Sequence, residues 1–303
     1  MNATLSAPAT IADATLERNE RARGLWSDAG RRLRKNAFAM GGLIVLLLMV
    51  LAAIFAKWIA PADPNFQDYM SMMQGPSRAH PMGTDNFGRD ILSRIIYGAQ
   101  ISLRLGVLGT LVGALLGSII GAISGFYGGW IDSVLMRLLD VQLAFPGILL
   151  AIVIIAILGV GEVNVIIAIG IFSVPVFARM VRGSLLSLRE QEFVLAARAI
   201  GAPSGRLIAV HLMPNALAPI LVLSTIRMGT AILTAASLGF LGLGVRPPSP
   251  EWGTMLSEGR AYMQLAPHIT IFPGLAILVA VVAINLFGDG LRDALDPKMK
   301  KTG

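Results

Sequence analysis

The sequence contains no cysteine in 303 residues. This excludes disulfides, thiolate zinc sites, cysteine-ligated clusters and thiol nucleophiles. Histidine is nearly as scarce, since His80, His211 and His268 lie far apart and no two of them have the spacing of metal ligands. We therefore expect no metal site and no catalytic residues in this chain.

The chain also lacks a phosphate-binding loop of the form G-x-x-x-x-G-K-[ST]. The nearest segment, GAPSGRL at 201–207, has neither the glycine spacing nor the lysine. We expect that this chain binds no cofactor and does not itself hydrolyse ATP.

Charged side chains are few, at 14% of the residues, whereas hydrophobic residues make up 55%. This balance is too apolar for an ordinary soluble domain. The net charge of +7 is concentrated in the first 36 residues, after Leu291, and between Arg179 and Arg206. Basic clusters beside apolar runs are typical of membrane topology, so we expect membrane lipid around the chain and no nucleic-acid partner.

Six apolar runs of about 20 residues each have the length of a membrane-spanning helix. The sequence therefore predicts an all-α, polytopic membrane protein with six transmembrane helices. The predicted spans are 37–59, 101–125, 134–158, 163–183, 216–243 and 270–288. They leave a polar N-terminal tail at 1–36 and a C-terminal tail at 289–303.

The distribution of Lys and Arg predicts that both termini are cytoplasmic. The segments 126–133 and 184–215 are then also inside, and the segments 60–100 and 244–269, which hold few basic residues, are outside. Turn-forming residues in 60–100 indicate an ordered extracytoplasmic cap. Its stretch DILSRIIYG, 90–98, fits either an amphipathic helix at the membrane surface or a helix buried under the cap.

The second predicted span carries glycines at strict four-residue intervals, which predicts a close helix–helix crossing. Such a contact serves either static packing or an interface that slides during transport. The glycines are Gly109, Gly113, Gly117, Gly121 and Gly125.

Charged residues inside the predicted spans are costly and normally face protein or water. Arg137 and Asp140 are three residues apart in the third span, which predicts that they pair. Arg227 lies in the fifth span with no partner evident from the sequence. It lines a translocation path and attracts a carboxylate, or it pairs with another subunit, or it snorkels to the membrane surface.

The polar loop 184–215 contains QEFVLAARAIGAPSGRLIAVHLMPN at 191–215. The residues from Glu192 to Ala199 are predicted to form a short helix. One face of it carries small side chains, which suits a groove on a partner. Gly201 permits a turn that other residues resist, and Pro214 leads into the next span. From spacing alone, an ordinary cytoplasmic loop stays an equal alternative.

This loop resembles the EAA signature of permease subunits of ATP-driven (ABC) importers. The matching residues are Glu192, Ala196, Ala197, Gly201 and Pro214. The sequence departs from the general pattern where Leu195, and not an acidic residue, precedes the alanines, and where His211 and Met213 lie ahead of the proline. The displaced glutamate is typical of the peptide-transporter branch.

Four further segments resemble the C-type permease subunit of dipeptide, oligopeptide, glutathione and nickel importers. They occur in the expected order within residues 36–299. They are GTDNFGRDILSRIIYGAQISL, MRLLDVQLAFPGILLAI, ASLGFLGLGVRPPSPEWGTML and GDGLRDALDPK.

The resemblance implies a type I ABC importer permease fold in a bacterial inner membrane, with 37–59 as the first span and a five-helix core at 101–288. It implies a heterodimer with a homologous permease subunit, two ATPase subunits that use ATP and magnesium, and an extracytoplasmic solute-binding protein. The expected cargo is a short peptide such as a dipeptide, an oligopeptide or glutathione, with nickel as the alternative. A self-sufficient secondary transporter is the alternative class, but it predicts charge-lined, discontinuous helices near the membrane centre, and the sequence offers few.

Overall fold

Helices account for nearly all of the regular structure in the computed structural model, which describes residues 25–295. Within that range the only β pairing is an isolated bridge between Thr84 and Asp90. Residues 1–24 of the predicted N-terminal tail and 296–303 of the predicted C-terminal tail lie outside the described residues. The helices are α1 (Leu25–Lys35), α2 (Ala37–Ile54), α3 (Ala56–Ile59), α4 (Ile91–Tyr127), α5 (Gly129–Leu143), α6 (Gly147–Leu158), α7 (Glu162–Leu188), α8 (Glu192–Ala199), α9 (Met213–Phe240), α10 (Trp252–Gly259) and α11 (His268–Leu295).

Five stretches are long and apolar enough to cross a membrane, and α5 with α6 forms a sixth if the pair is one span. The prediction of an all-helical membrane protein is therefore confirmed, with six spans when the bent pair is counted as one. The third span, predicted as continuous over 134–158, is instead bent by 90° between α5 and α6. Pro146 explains the break, because proline lacks an N–H and disfavours helical backbone at the residue before it.

Helix α4 is longer than the predicted span 101–125. Its 37 residues extend about 56 Å at 1.5 Å per residue, which exceeds the thickness of the hydrocarbon layer. The segment DILSRIIYG forms its first turns, and Ile91, Arg94 and Ile96 there are buried. The separate surface helix is therefore wrong and the buried-helix alternative is correct, because the cap covers this end of α4.

Several predicted boundaries also move. Residues 25–35, placed in the N-terminal tail, form α1, and residues 289–295, placed in the C-terminal tail, belong to α11. The first span ends at Ile54 and is followed after Phe55 by the short helix α3. Charged residues at helix ends lower the local hydropathy without ending the backbone hydrogen bonding. The helices therefore extend beyond the apolar runs of the sequence.

Helices α4 and α7 form the most extensive contact in the bundle. The five glycines of α4 lie along this contact. A methyl group on Gly109 would lie 2.7 Å from Ile169 Cγ2, and one on Gly117 would lie 2.6 Å from Phe177 Cβ. Real Cβ atoms essentially never approach so closely, so the two helices meet at backbone distance.

Candidate functional site

Helix α8, in the loop that carries the EAA-like residues, packs on the bundle through one face. Val194 and Ala197 are buried in a cluster with Leu185, Leu207 and Leu212. Ala196 and Glu192, in contrast, are exposed. The paired alanines therefore point in different directions, Ala197 into the molecule and Ala196 outward.

The end of α8 is a tight left-handed turn. Gly201 has φ +87°, a conformation that side-chain-bearing residues adopt rarely. Its N–H donates to the Arg198 carbonyl at 3.0 Å, and the N–H of Ala202 donates to the Ala197 carbonyl at 3.1 Å. These two bonds form a Schellman motif, which fixes the direction of the chain after α8.

The outward face of α8 is apolar at three positions that the sequence reasoning missed. Phe193, Leu195 and Ile200 are 43%, 49% and 87% exposed. Phe193, Ala196 and Ile200 have the spacing i, i+3, i+7, which places them on one side of a helix. That spacing is the signal in the sequence from which this apolar side could have been predicted.

After the Gly201 turn and the non-helical residues Ala202 and Pro203, the chain is helical again from Ser204 into α9. Ser204–Arg206 form a helical turn and Leu207–Leu212 form a π-helical stretch, in which the Met213 N–H donates to the Ile208 carbonyl. Pro214 follows in the first turn of α9 and has no N–H to donate. A π-turn accommodates this gap in the helical bonding, so the backbone from Ser204 through α9 is continuously helical.

Two arginines of α7 bind two aspartates of α5. Arg182 Nε and Asp132 Oδ1 are 2.5 Å apart, and Arg179 Nη2 and Asp140 Oδ1 are also 2.5 Å apart. The predicted pairing of Arg137 with Asp140 is therefore wrong, because the neighbouring helix supplies a guanidinium to Asp140. Arg137 is exposed and has no ion pair within residues 25–295.

Arg227 lies near the middle of α9 and is half-buried. Its guanidinium carbon is 6.0 Å from the centroid of the Phe172 ring of α7. Phe172 in turn packs against Gly147, the first residue of α6, so closely that a Cβ on this glycine would overlap the ring. Arg227 is therefore placed beside the break between α5 and α6.

An open apolar groove of about 580 Å³ lies between α6, α9, α10 and α11. Its size is within the range of small-molecule sites. Its lining contains no charged side chain and is formed by Ile148, Leu233, Ala236, Ser237, Phe240, Leu241, Leu256, Gly274 and Ile277.

At the end of the bundle opposite α8, a buried charge network joins the two segments predicted to be outside. Glu258 Oε2 lies 2.8 Å from Arg89 Nη2 and 3.1 Å from Arg94 Nη2. Arg89 Nε also lies 2.6 Å from Asp85 Oδ2. Arg94 completes its bonding by donating to the carbonyls of Pro64 and Pro248. Across residues 25–295, no three acidic or histidine side chains converge as metal ligands.

Two family matches cover most of the chain. Residues 113–301 match the binding-protein-dependent transport system inner membrane component, and residues 24–76 match the N-terminal TM domain of oligopeptide transport permease C. The glutathione transport system permease proteins GsiD of Escherichia coli and Shigella sonnei are each 51% identical to the chain over 286 residues, or 94% of both lengths. The chain belongs to this family of ABC importer permeases.

The fold of the permease agrees with that of a solved importer. It superposes on the MetNI methionine ABC transporter in an inward-facing conformation with a TM-score of 0.55 and 20% identity. The match covers 68% of this permease and 98% of that chain. The likeness shows a shared fold. The family match and the apolar helices indicate a multi-pass inner-membrane protein.

Proposed function

We propose that this permease carries short peptides across the inner membrane, with glutathione as the reference substrate. The observation that carries the proposal is the 51% identity, over 94% of both chains, to permeases named for glutathione transport. In this assignment both termini and α8 face the cytoplasm, and the cap built on Arg89, Arg94 and Glu258 faces outward.

The proposed importer contains a homologous permease subunit that pairs with this chain as a heterodimer. Two cytoplasmic ATPase subunits bind ATP and magnesium, and a solute-binding protein delivers the peptide to the cap. The chain contributes no catalytic residue, and its role is to form half of the path and to receive the motion of an ATPase.

Helix α8 is the proposed contact with an ATPase. Its exposed Phe193, Ala196 and Ile200 offer an apolar face for a groove, and the exposed Glu192 lies at its start. Its inner face is packed on the bundle, and its end continues through the Gly201 turn and Pro214 into α9. A helix held in this way transmits rigid-body movement to the span.

The test is Gly201→Asp in the assembled importer. A side chain at φ +87° strains the turn by about 1–2 kcal/mol, which weakens the connection between α8 and α9, so we expect peptide uptake to fall sharply at normal membrane levels of the complex. The matched control is Gly205→Asp, which adds the same charge to the same loop at a position with open space and no left-handed backbone. We expect its uptake to stay near that of the wild type.

Equal uptake by both variants and the wild type would refute the role of α8 in coupling. Copurification from solubilised membranes tests the partners, since a chain recovered without any ATPase contradicts the proposed machine. Uptake of nickel without uptake of any peptide would contradict the substrate class.

A further inference from the structure

The arginines within the membrane-spanning helices differ in their partners. Arg104 Nε lies 2.5 Å from Glu162 Oε1, and Arg179 and Arg182 bind Asp140 and Asp132. Arg227 has no carboxylate partner among residues 25–295. An unpaired guanidinium in the middle of a span is costly, so a compensating negative charge is expected from outside this chain.

The surroundings of Arg227 favour a ligand over a structural role. Phe172 contacts both its guanidinium and the start of α6, where the α5–α6 span is broken. A ring face stabilises a cation and holds a planar guanidinium in position, but it leaves the N–H donors free. Broken helices near mid-membrane are where transport proteins commonly form substrate sites.

The apolar groove between α6, α9, α10 and α11 differs from the surroundings of Arg227 in its charge. It shares the start of α6 through Ile148, yet every side chain that lines it is uncharged. It therefore fits the bulk of a small molecule without discriminating its charge. Arg137, by contrast, is exposed on α5 and has no ion pair or ring contact among residues 25–295.

We propose that Arg227, held against Phe172, binds the C-terminal carboxylate of the peptide as it passes the break between α5 and α6. The inference rests on the proposed peptide transport and adds the chemical group that is recognised. A guanidinium presents two parallel N–H donors to a carboxylate, which a lysine cannot reproduce. Peptides whose carboxylate is blocked lose this contact.

The test compares glutathione with its glycyl monoethyl ester in vesicles that hold the complete importer. Uptake is measured for the wild type, Arg227→Gln and Arg227→Lys. The binding protein is the same in all samples. For each substrate, uptake by the variant is divided by uptake by the wild type, and this ratio removes the selectivity of the binding protein from the comparison. We expect Arg227→Gln to lower glutathione uptake about 10-fold or more and ester uptake less than 3-fold. Arg227→Lys should give a smaller loss that is again larger for glutathione.

Equal losses for the two substrates would overturn the proposal. If Arg227→Gln fails to assemble, the same ratio is read from Arg227→Lys, and equal losses there are equally decisive. Stimulation of the ATPase by the loaded binding protein is recorded in parallel, and we expect it to persist in both variants. A wild-type importer without peptide uptake would refute the proposed function itself, a result distinct from equal losses.

Discussion

Glu251 shows at the scale of one residue how a buried charge is held in this protein. It is 1% exposed and precedes α10, where its carboxylate accepts hydrogen bonds from the N–H groups of Gly253 and Thr254 at 2.8 and 2.7 Å. Burial raises the pKa of the Glu251 carboxyl above its usual value of 4.5, against the lowering effect of these bonds. Among residues 25–295, no cation is a hydrogen-bond partner of Glu251, so the effect of desolvation on its pKa prevails.

This raised pKa predicts the direction of a pH effect. The folded state binds more protons than the unfolded state as the pH rises above 4.5, so the contribution of Glu251 to stability falls with pH. We expect the wild type to lose thermal stability relative to Glu251→Gln as the pH rises above about 4.5, by at most about 1.4 kcal/mol per pH unit.

Melting curves of the two purified proteins over this pH range measure the effect. Glu192→Gln, which removes a carboxylate from an exposed helix start, is the matched control. A stability difference between wild type and Glu251→Gln that stays constant with pH would contradict the raised pKa.

At the scale of the element, the α4–α7 contact depends on the absence of side chains. A Cβ on Gly117 would lie 2.6 Å from Phe177 Cβ and 2.7 Å from the Val174 carbonyl oxygen. Neither neighbour is the flexible end of a side chain, so the helices themselves must separate. The glycine spacing was visible in the sequence, but the helix that it meets was not.

We therefore expect Gly117→Ala to destabilise the purified protein by about 1–3 kcal/mol, measured by its melting temperature. Gly183→Ala on α7 is the matched control, because a Cβ there meets nothing within 4 Å. It should be neutral or stabilising, since alanine favours a helix by up to about 1 kcal/mol over glycine. Similar melting temperatures for the two variants would show that the α4–α7 contact adjusts freely.

At the scale of the whole molecule, the cap is held together by charges from distant parts of the chain. Glu258 binds Arg89 and Arg94, and both arginine side chains are at most 2% exposed. Breaking a buried pair leaves an uncompensated charge, which costs far more than the loss of an exposed pair. The proposed docking surface for a binding protein therefore depends on this network for its shape.

Glu258→Gln should lower the free energy of unfolding by about 3 kcal/mol and weaken docking of the binding protein. Glu162→Gln, which breaks the more exposed pair with Arg104, should cost less than about 1 kcal/mol. Thermal unfolding and binding-protein titration of both variants measure these effects. If both variants lost the same small amount of unfolding free energy and of binding-protein affinity, a structural role for the network would be contradicted.

The sequence by itself determined the helical class, the number of spans, the absence of cysteine chemistry and the glycine turn after α8. These properties follow from run length, composition and local backbone preference, all of which act between residues close in the chain. The sequence did not show which of the two alanines of α8 is buried. Ala196 and Ala197 are chemically identical, and the burial of each depends on the residues that pack beneath it.

Only the tertiary structure decided which groups meet. Asp140 had an arginine three residues away, yet it binds Arg179, because the fold places α7 beside α5. The Glu258 network and the position of Arg227 beside Phe172 likewise join residues far apart in sequence. The choice between partners depends on helix adjacency, which is set by the packing of the whole bundle and has no local signal in the chain.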